Sequence, residues 1–286
     1  MRIIRSLAEM TETARGWLAG GTVGFVPIKG GIHDGHRTLI QAAHNACEIC
    51  VVSVIENAFT GSYQPTQTAA ASSGYDIQQL QNLGADVVFT PQLNELFPAD
   101  FSTYVTPTGQ LAERLEGRNN AVRVREIVTT IMQLFLLVRP DIAYFGQKDA
   151  QYIAILRRMI RDLHVDISLR VLPIVRESDG LAMSMRNQRL STAERQAARA
   201  LYQALLHARQ LIEQGELRSQ AIIQAITAMI AQEPLLAFEY GALCQPETFV
   251  EVPQAAPGTL LVIGARAGTV HLTDNIVWLA NGQWQL

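Results

Sequence analysis

The sequence predicts an α/β protein: a doubly wound parallel sheet followed by a smaller α+β domain. Three observations carry that expectation. Over residues 1–174, short apolar runs alternate with longer segments of helical periodicity. Those apolar runs are continuous, as strands buried on both faces are, rather than alternating. Over residues 175–286 the pattern changes: helices come first and short strands afterwards.

Thr22–Pro27 is the first clear strand, and Gly35–Ala46 the helix that follows it. Cys50–Ile55 (CVVSVI) is a strand, Asp76–Gly84 a helix stopped by its glycine, and Asp86–Pro91 a strand. A helix over about Val124–Val138 leads to the strand Asp141–Gly146, the helix Ala150–Leu163 and the strand Ile167–Ile174. Amphipathic helices then span Thr192–Gly215 and Arg218–Gln232. Short strands at Phe238–Leu243, Thr259–Ala267 and Thr269–Leu279 complete the second domain. Ser62–Gly74, rich in Ser, Thr, Gln and Ala, is a long loop of the kind that forms lids.

Composition narrows the function. A net charge of −3 leaves no basic footprint for nucleic acid or an anionic membrane. No apolar run reaches the roughly 20 residues that span a bilayer. Glu9 and Glu12 interrupt the first 20 residues, unlike a signal peptide. Three cysteines, an odd and sparse set, point to a reducing compartment and so to the cytoplasm. Cys47 and Cys50 have redox-motif spacing, but Cys50 opens a strand and reads as a small buried residue.

Gly30, Gly31, His33, Gly35 and His36 fall where the first strand meets the first helix. A helix N-terminus there offers free N–H groups and partial positive charge, and glycines let a ligand approach the backbone. Two imidazoles three residues apart share a face and suit phosphate oxygens whose charge shifts during transfer. A metal site needs a third ligand, and Asp34 should point away from the pair. A bland surface pair is the remaining reading.

His33-Asp34-Gly35-His36 after a strand resembles the HIGH signature of the nucleotidyltransferase superfamily, which implies a Rossmann-like nucleotide-binding domain. More narrowly, the chain resembles the pantothenate synthetase (pantoate–β-alanine ligase) family. Val26-Pro27, Gly30 and the two histidines match a motif usually written P-T-M-G-A-L-H-E-G-H. Arg139–Gln151, Arg157–Leu163, Pro173–Ser191 and Thr273–Ile276 match further blocks in order. The resemblance implies a homodimer that uses ATP and Mg2+. An acid attacks the α-phosphate to give an acyl-adenylate, and an amine then displaces AMP. It assigns His33, His36, Lys148, Ser184 and Arg186 to the phosphates, and Pro27, Gly30, Gly35, Gly146, Asp149, Val175 and Met183 to the nucleotide. Asn57 and Arg118 fall to the substrates and Asp76 to the metal.

The departures from the family pattern gather on the acid and amine side. Ile28 and Lys29 replace Thr and Met, Glu56 replaces Val, and Thr60 and Tyr152 replace two pantoate-binding glutamines. The R-P-G-H-F block reads Arg118-Asn119-Asn120-Ala121-Val122, and Met185 replaces a serine. Loss of two amides weakens recognition of a dihydroxy acid. Lys29 and Glu56 either pair with each other or receive a charged substrate such as an amino acid. The expectation is therefore an adenylating acid–amine ligase with altered substrates. Its rivals are a genuine pantoate–β-alanine ligase, a nucleotidyltransferase that stops at an adenylylated product, and a non-catalytic nucleotide binder. His44, His164, His207 and His271 have no motif context.

Overall fold

A computed structural model describes residues 1–17, 20–55, 77–118 and 121–286. In chain order the elements begin with β1 (Arg2–Ile4), α1 (Leu7–Trp17), β2 (Val23–Lys29) and α2 (Asp34–Ala46). Next are β3 (Ile49–Ile55), α3 (Ile77–Asn82), β4 (Val87–Phe89) and the one-turn helices α4 (Leu93–Leu96) and α5 (Gln110–Glu113). Then come α6 (Ala121–Val138), β5 (Ile142–Gly146), α7 (Ala150–Asp162) and β6 (Ser168–Leu172). The remainder holds α8 (Thr192–Ala198), α9 (Ala200–Glu213), α10 (Ser219–Ile230), β7 (Leu236–Cys244), β8 (Leu260–Ala267), β9 (Val270–Trp278) and β10 (Trp284–Gln285).

These elements form two compact units. The first comprises Met1–Thr108, Asn120–Gly146 and Ile155–Leu172; the second comprises Gly109–Asn119, Gln147–Ala154 and Pro173–Leu286.

The first unit is built on a parallel sheet of six strands, ordered β1-β4-β3-β2-β5-β6. Its continuous apolar strands have the expected cause. Val26, Ile28, Val52 and Val54 pack with Leu39, Ile40 and Ala43 of α2 on one face. On the other, Phe25 meets Phe135 of α6 edge to face at 6.3 Å between ring centres. Asp86 and Asp141 hold the strand entries, accepting from the backbone N–H of Cys50 at 2.8 Å and of Val23 at 2.7 Å. Strand order reverses between β2 and β5, which makes their carboxyl ends the expected ligand crevice.

The second unit is an antiparallel sheet, β10-β9-β8-β7, with a different cover on each face. Ile222, Ile226 and Ile230 of α10 and Leu201, Leu205 and Ala208 of α9 pack on Leu261, Ile263 and Ile276. The opposite face carries Ala242, Phe249, Leu260 and Val262, covered by Leu111, Leu115, Ala150 and Ala154. That second cover explains why two short segments from earlier in the chain belong to this unit.

Several boundaries differ from the sequence expectation. The helix over Thr192–Gly215 is two helices, divided at Arg199. α6 begins at Ala121, a turn earlier than expected. β1 and α1 carry no strong sequence signal, yet β1 extends the sheet by pairing with β4 in register Ile3–Val88.

Candidate active site

In the first unit, β2 delivers the backbone to the crevice and α2 leads it away. Pro27 and Lys29 lie near the end of the β2 register, opposite Ser53 and Ile55 of β3. Gly30 then adopts a left-handed φ of 76°, with open space where a Cβ would stand. A side chain there would be strained and would fill the approach to the backbone. His33 is the N-cap of α2 with extended backbone, and Gly35 and His36 lie in its first turn. The two imidazoles stack with ring centres 3.8 Å apart. The His33 backbone N–H donates to His36 Nδ1 at 3.4 Å. An accepting Nδ1 places the proton of the neutral imidazole on Nε2.

In the second unit, a cleft is lined by Lys148, Asp149, Tyr152 and Arg186, with Glu116, Thr273, Asp274 and Asn275 among its other walls. Burial pushes the Lys148 ammonium below the ordinary lysine range; Arg186 adds to the depression, and Asp149, Asp274 and Glu116 oppose it. Among the described residues, neither Lys148 nor Arg186 is within ion-pair distance of a carboxylate. Two such cations held on one cleft favour an anion between them.

A hydrogen-bonded frame fixes this cleft. Asn275 donates to the backbone carbonyls of Gln147 and Lys148 at 3.1 and 3.3 Å and accepts from the Gln147 side chain at 3.0 Å. Asp274, 4% exposed, takes both ends of the Arg176 guanidinium at 2.7 and 3.0 Å. That guanidinium also stacks over Tyr202, 3.7 Å from the ring centre. Gln151 ties down the Gly109–Asn119 segment: its amide donates to the carbonyls of Leu111 and Arg114, and its oxygen accepts from the Glu116 N–H. Arg186 is steadied by the His271 carbonyl at 3.2 Å. Burial pushes the Glu116 carboxyl up. Hydrogen bonds from His271 and Tyr240, with the charge of Arg186, outweigh burial and hold it below the usual range.

A family model described as Pantoate-beta-alanine ligase matches residues 2–277. The chain belongs to this family. Pantothenate synthetase of Heliobacterium modesticaldum is 41% identical over 97% of this chain and 99% of its own. The crystal structure of pantothenate synthetase from Thermus thermophilus superposes with a TM-score of 0.87 at 33% identity, covering 96% of this chain and 98% of that one. A Francisella tularensis pantoate-beta-alanine ligase, complexed with beta-gamma ATP and β-alanine, shares the fold at a TM-score of 0.72 and 22% identity, covering 96% of this chain and 97% of that one. As a pantoate–β-alanine ligase family member, the chain is an ATP-dependent, AMP-forming carbon–nitrogen ligase.

The residues expected at a ligase site do not all fall together. Pro27, Lys29, Gly30, His33, Gly35 and His36 share one edge of the first unit, where Gly146 also ends β5. Lys148, Asp149, Tyr152 and Arg186 share the second-unit cleft. Asp149 is exposed, and among the described residues its carboxylate caps nothing. Val175 and Met183 are joined by a backbone hydrogen bond of 2.9 Å across a tight hairpin, and Ser184 accepts from the Arg186 N–H at 3.2 Å. Arg118 is exposed beyond a 3-10 turn and does not line the cleft. Glu56, Asn57, Thr60 and Asp76 lie outside the described residues. Sequence reading assigned no role to Glu116, Gln151, Arg176 or His271. His271, set aside for lack of a motif, stands between two carboxylates, Glu116 at 2.6 Å and Glu239 at 2.5 Å. Its position two residues before Thr273–Ile276 was the available signal.

Proposed function

We propose that this ligase joins pantoate to β-alanine through a pantoyl adenylate. The extent of the family match carries the reading. It runs over residues 2–277, and relatives named pantothenate synthetase are 41% and 35% identical over 97% and 99% of the chain. The expectation of altered acid and amine substrates therefore becomes the second reading. Tyr152 is what keeps it in play, since a phenol rather than an amide lines the cleft beside Lys148.

In the first step, a pantoate carboxylate oxygen bonds to the α-phosphorus of ATP, and the bond to the β-phosphate oxygen breaks to release pyrophosphate. His33 and His36 would donate to the phosphate oxygens from the N-terminus of α2. Lys148 and Arg186 would neutralise charge on the transferring and leaving groups. Asp149 would take the ribose hydroxyls, with Gly146, Val175 and Met183 along the nucleoside and Ser184 on a phosphate. In the second step, the β-alanine nitrogen bonds to the acyl carbon, the acyl–phosphate bond breaks, and AMP leaves. Placement and charge stabilisation supply the catalysis.

Magnesium would accompany the triphosphate. Among the described residues no group of three or more His, Cys, Asp or Glu could hold a metal ion, and no step above runs through one. No described helix is long and apolar enough to cross a membrane. In this reading the enzyme works as a cytoplasmic homodimer, a state that sedimentation velocity measures directly.

The deciding experiment is pyrophosphate release from ATP with pantoate, with and without β-alanine, followed by mass analysis of the product. Pantoate-dependent release and a pantothenate mass are expected. Silence with pantoate and release with another acid would transfer the assignment to the second reading. An adenylylated product that β-alanine leaves untouched would remove amide formation.

A further inference from the structure

Glu126 is a buried carboxylate in the first unit that the reaction above does not use. It lies on α6, is 1% exposed, and among the described residues its Oε2 has no hydrogen-bond partner. Thr130 donates to its backbone carbonyl and leaves the carboxylate alone. A buried acceptor without a partner costs about 1–3 kcal/mol, more when charged. Burial pushes its carboxyl up, while the nearby charges of Lys29, Arg125 and Arg123 oppose that rise. Lys29 fixes the location. It is the exposed last residue of β2, at the carboxyl end where the strand order reverses. An unpartnered acceptor thus stands beside a solvent-reaching cation at the crevice of the parallel sheet.

The charge around this acceptor selects its ligand. Three cations and one carboxylate repel an ammonium and attract an acid. Among the described residues, the Nε donors of Arg123 and Arg125 are also buried without a partner. A hydroxy acid supplies both complements, a carboxylate for the cations and a hydroxyl for Glu126. We propose that the Glu126 carboxylate, beside Lys29, accepts a hydrogen bond from a hydroxyl of the acid substrate and is a specificity-determining residue of this ligase. The inference rests on the proposed reaction and adds the group that reads the acid.

The test compares Glu126→Ala and Glu126→Gln with the parent protein by pyrophosphate release. KM is measured separately for ATP, β-alanine, pantoate and each of the two mono-deoxy analogues of pantoate. Glu126→Ala should raise the pantoate KM about 10- to 100-fold, the worth of one hydrogen bond to a charged group. It should leave the ATP and β-alanine KM unchanged and give a ratio near one with one of the two analogues. Glu126→Gln, which still accepts, should recover most of the loss, and circular dichroism checks the fold of both variants. An unchanged pantoate KM, a shift in the β-alanine KM instead, or equal losses with pantoate and both analogues would overturn the inference. Turnover by the parent protein separates this from the assignment itself. If the parent uses a different hydroxy acid, the same ratios are taken with that acid and its deoxy analogue. If its acid has no hydroxyl, or no acid releases pyrophosphate, the inference falls.

Discussion

The surroundings of Lys148 in the second unit and of Glu126 in the first treat a buried carboxylate in opposite ways. Around Lys148, Asp274, Asn275 and Gln151 commit nearly every donor and acceptor to protein partners. In that frame both oxygens of the buried Asp274 carboxylate are paired before anything binds, although among the described residues Gln147 Oε1 and Arg176 Nε are buried without a partner. Around Glu126, one carboxylate oxygen and two arginine donors are buried and, among the described residues, unmatched. There the folded chain carries a cost that a bound molecule relieves. A satisfied network gives precision; an unsatisfied one holds affinity and selectivity in reserve for whatever completes it.

The contrast is broken most directly at Asp274. Asp274→Ala leaves the Arg176 guanidinium, 12% exposed, without its carboxylate. Stranding one half of a buried ion pair costs about 3–5 kcal/mol. Chemical denaturation should show a loss of that size. A loss below about 1 kcal/mol would mean that stacking on Tyr202 alone holds the arginine. Lys148→Ala sits inside the same frame but acts on chemistry. Loss of a preorganised charge should lower pyrophosphate release about 10²- to 10³-fold. A pH profile adds a sign. Because burial depresses Lys148, its charge, and activity that depends on it, should fall away below the alkaline range of a free lysine. In the unliganded protein the unfolded chain holds that proton more tightly, so stability rises with pH between the two values, and Lys148→Ala removes that rise.

How much of this was legible in sequence follows from what each group needs. Strands such as Cys50–Ile55 announce themselves because both faces are buried, and the His33–His36 turn because glycine and histidine at a strand–helix junction have few other uses. β1 stayed hidden because three residues pairing on one edge leave no periodic signal. Glu126 was unreadable for a different reason. Within "VRVREIV" it looks like a solvated helix charge, and only packing shows that α6 buries that face. The Gln151 clamp was equally hidden, because its partners are backbone carbonyls of Leu111 and Arg114, 40 and 37 residues away.

A milder perturbation sharpens the comparison from the Glu126 side. Its carboxyl is raised in the folded state, so its contribution to stability is fully present below the ordinary carboxylate range. That contribution is lost as pH climbs through the raised folded value, when the buried group must ionise. Glu126→Gln cannot ionise. The stability difference in favour of the variant should therefore widen as pH rises above the ordinary carboxylate range, measured as paired denaturation curves. A difference constant with pH would show that Lys29, Arg123 and Arg125 already compensate the charge.

The smallest effect reports the same contrast through cysteine. Burial pushes the thiols of Cys50 in the first unit and Cys244 in the second up to about 12. At about pH 8 neither reacts from the closed state, so alkylation of each reports local opening of its own unit. Cys47, half-buried with its Sγ 3.5 Å from the Tyr144 hydroxyl, serves as the faster internal reference. The uncompensated group in the first unit lowers the cost of opening it. Glu126→Gln should then slow iodoacetamide labelling of Cys50 a few-fold, read by peptide mass, and leave Cys244 unchanged. Equal slowing at both thiols would show that they label through one global unfolding event, and the two polar environments would then bear on a single shared stability.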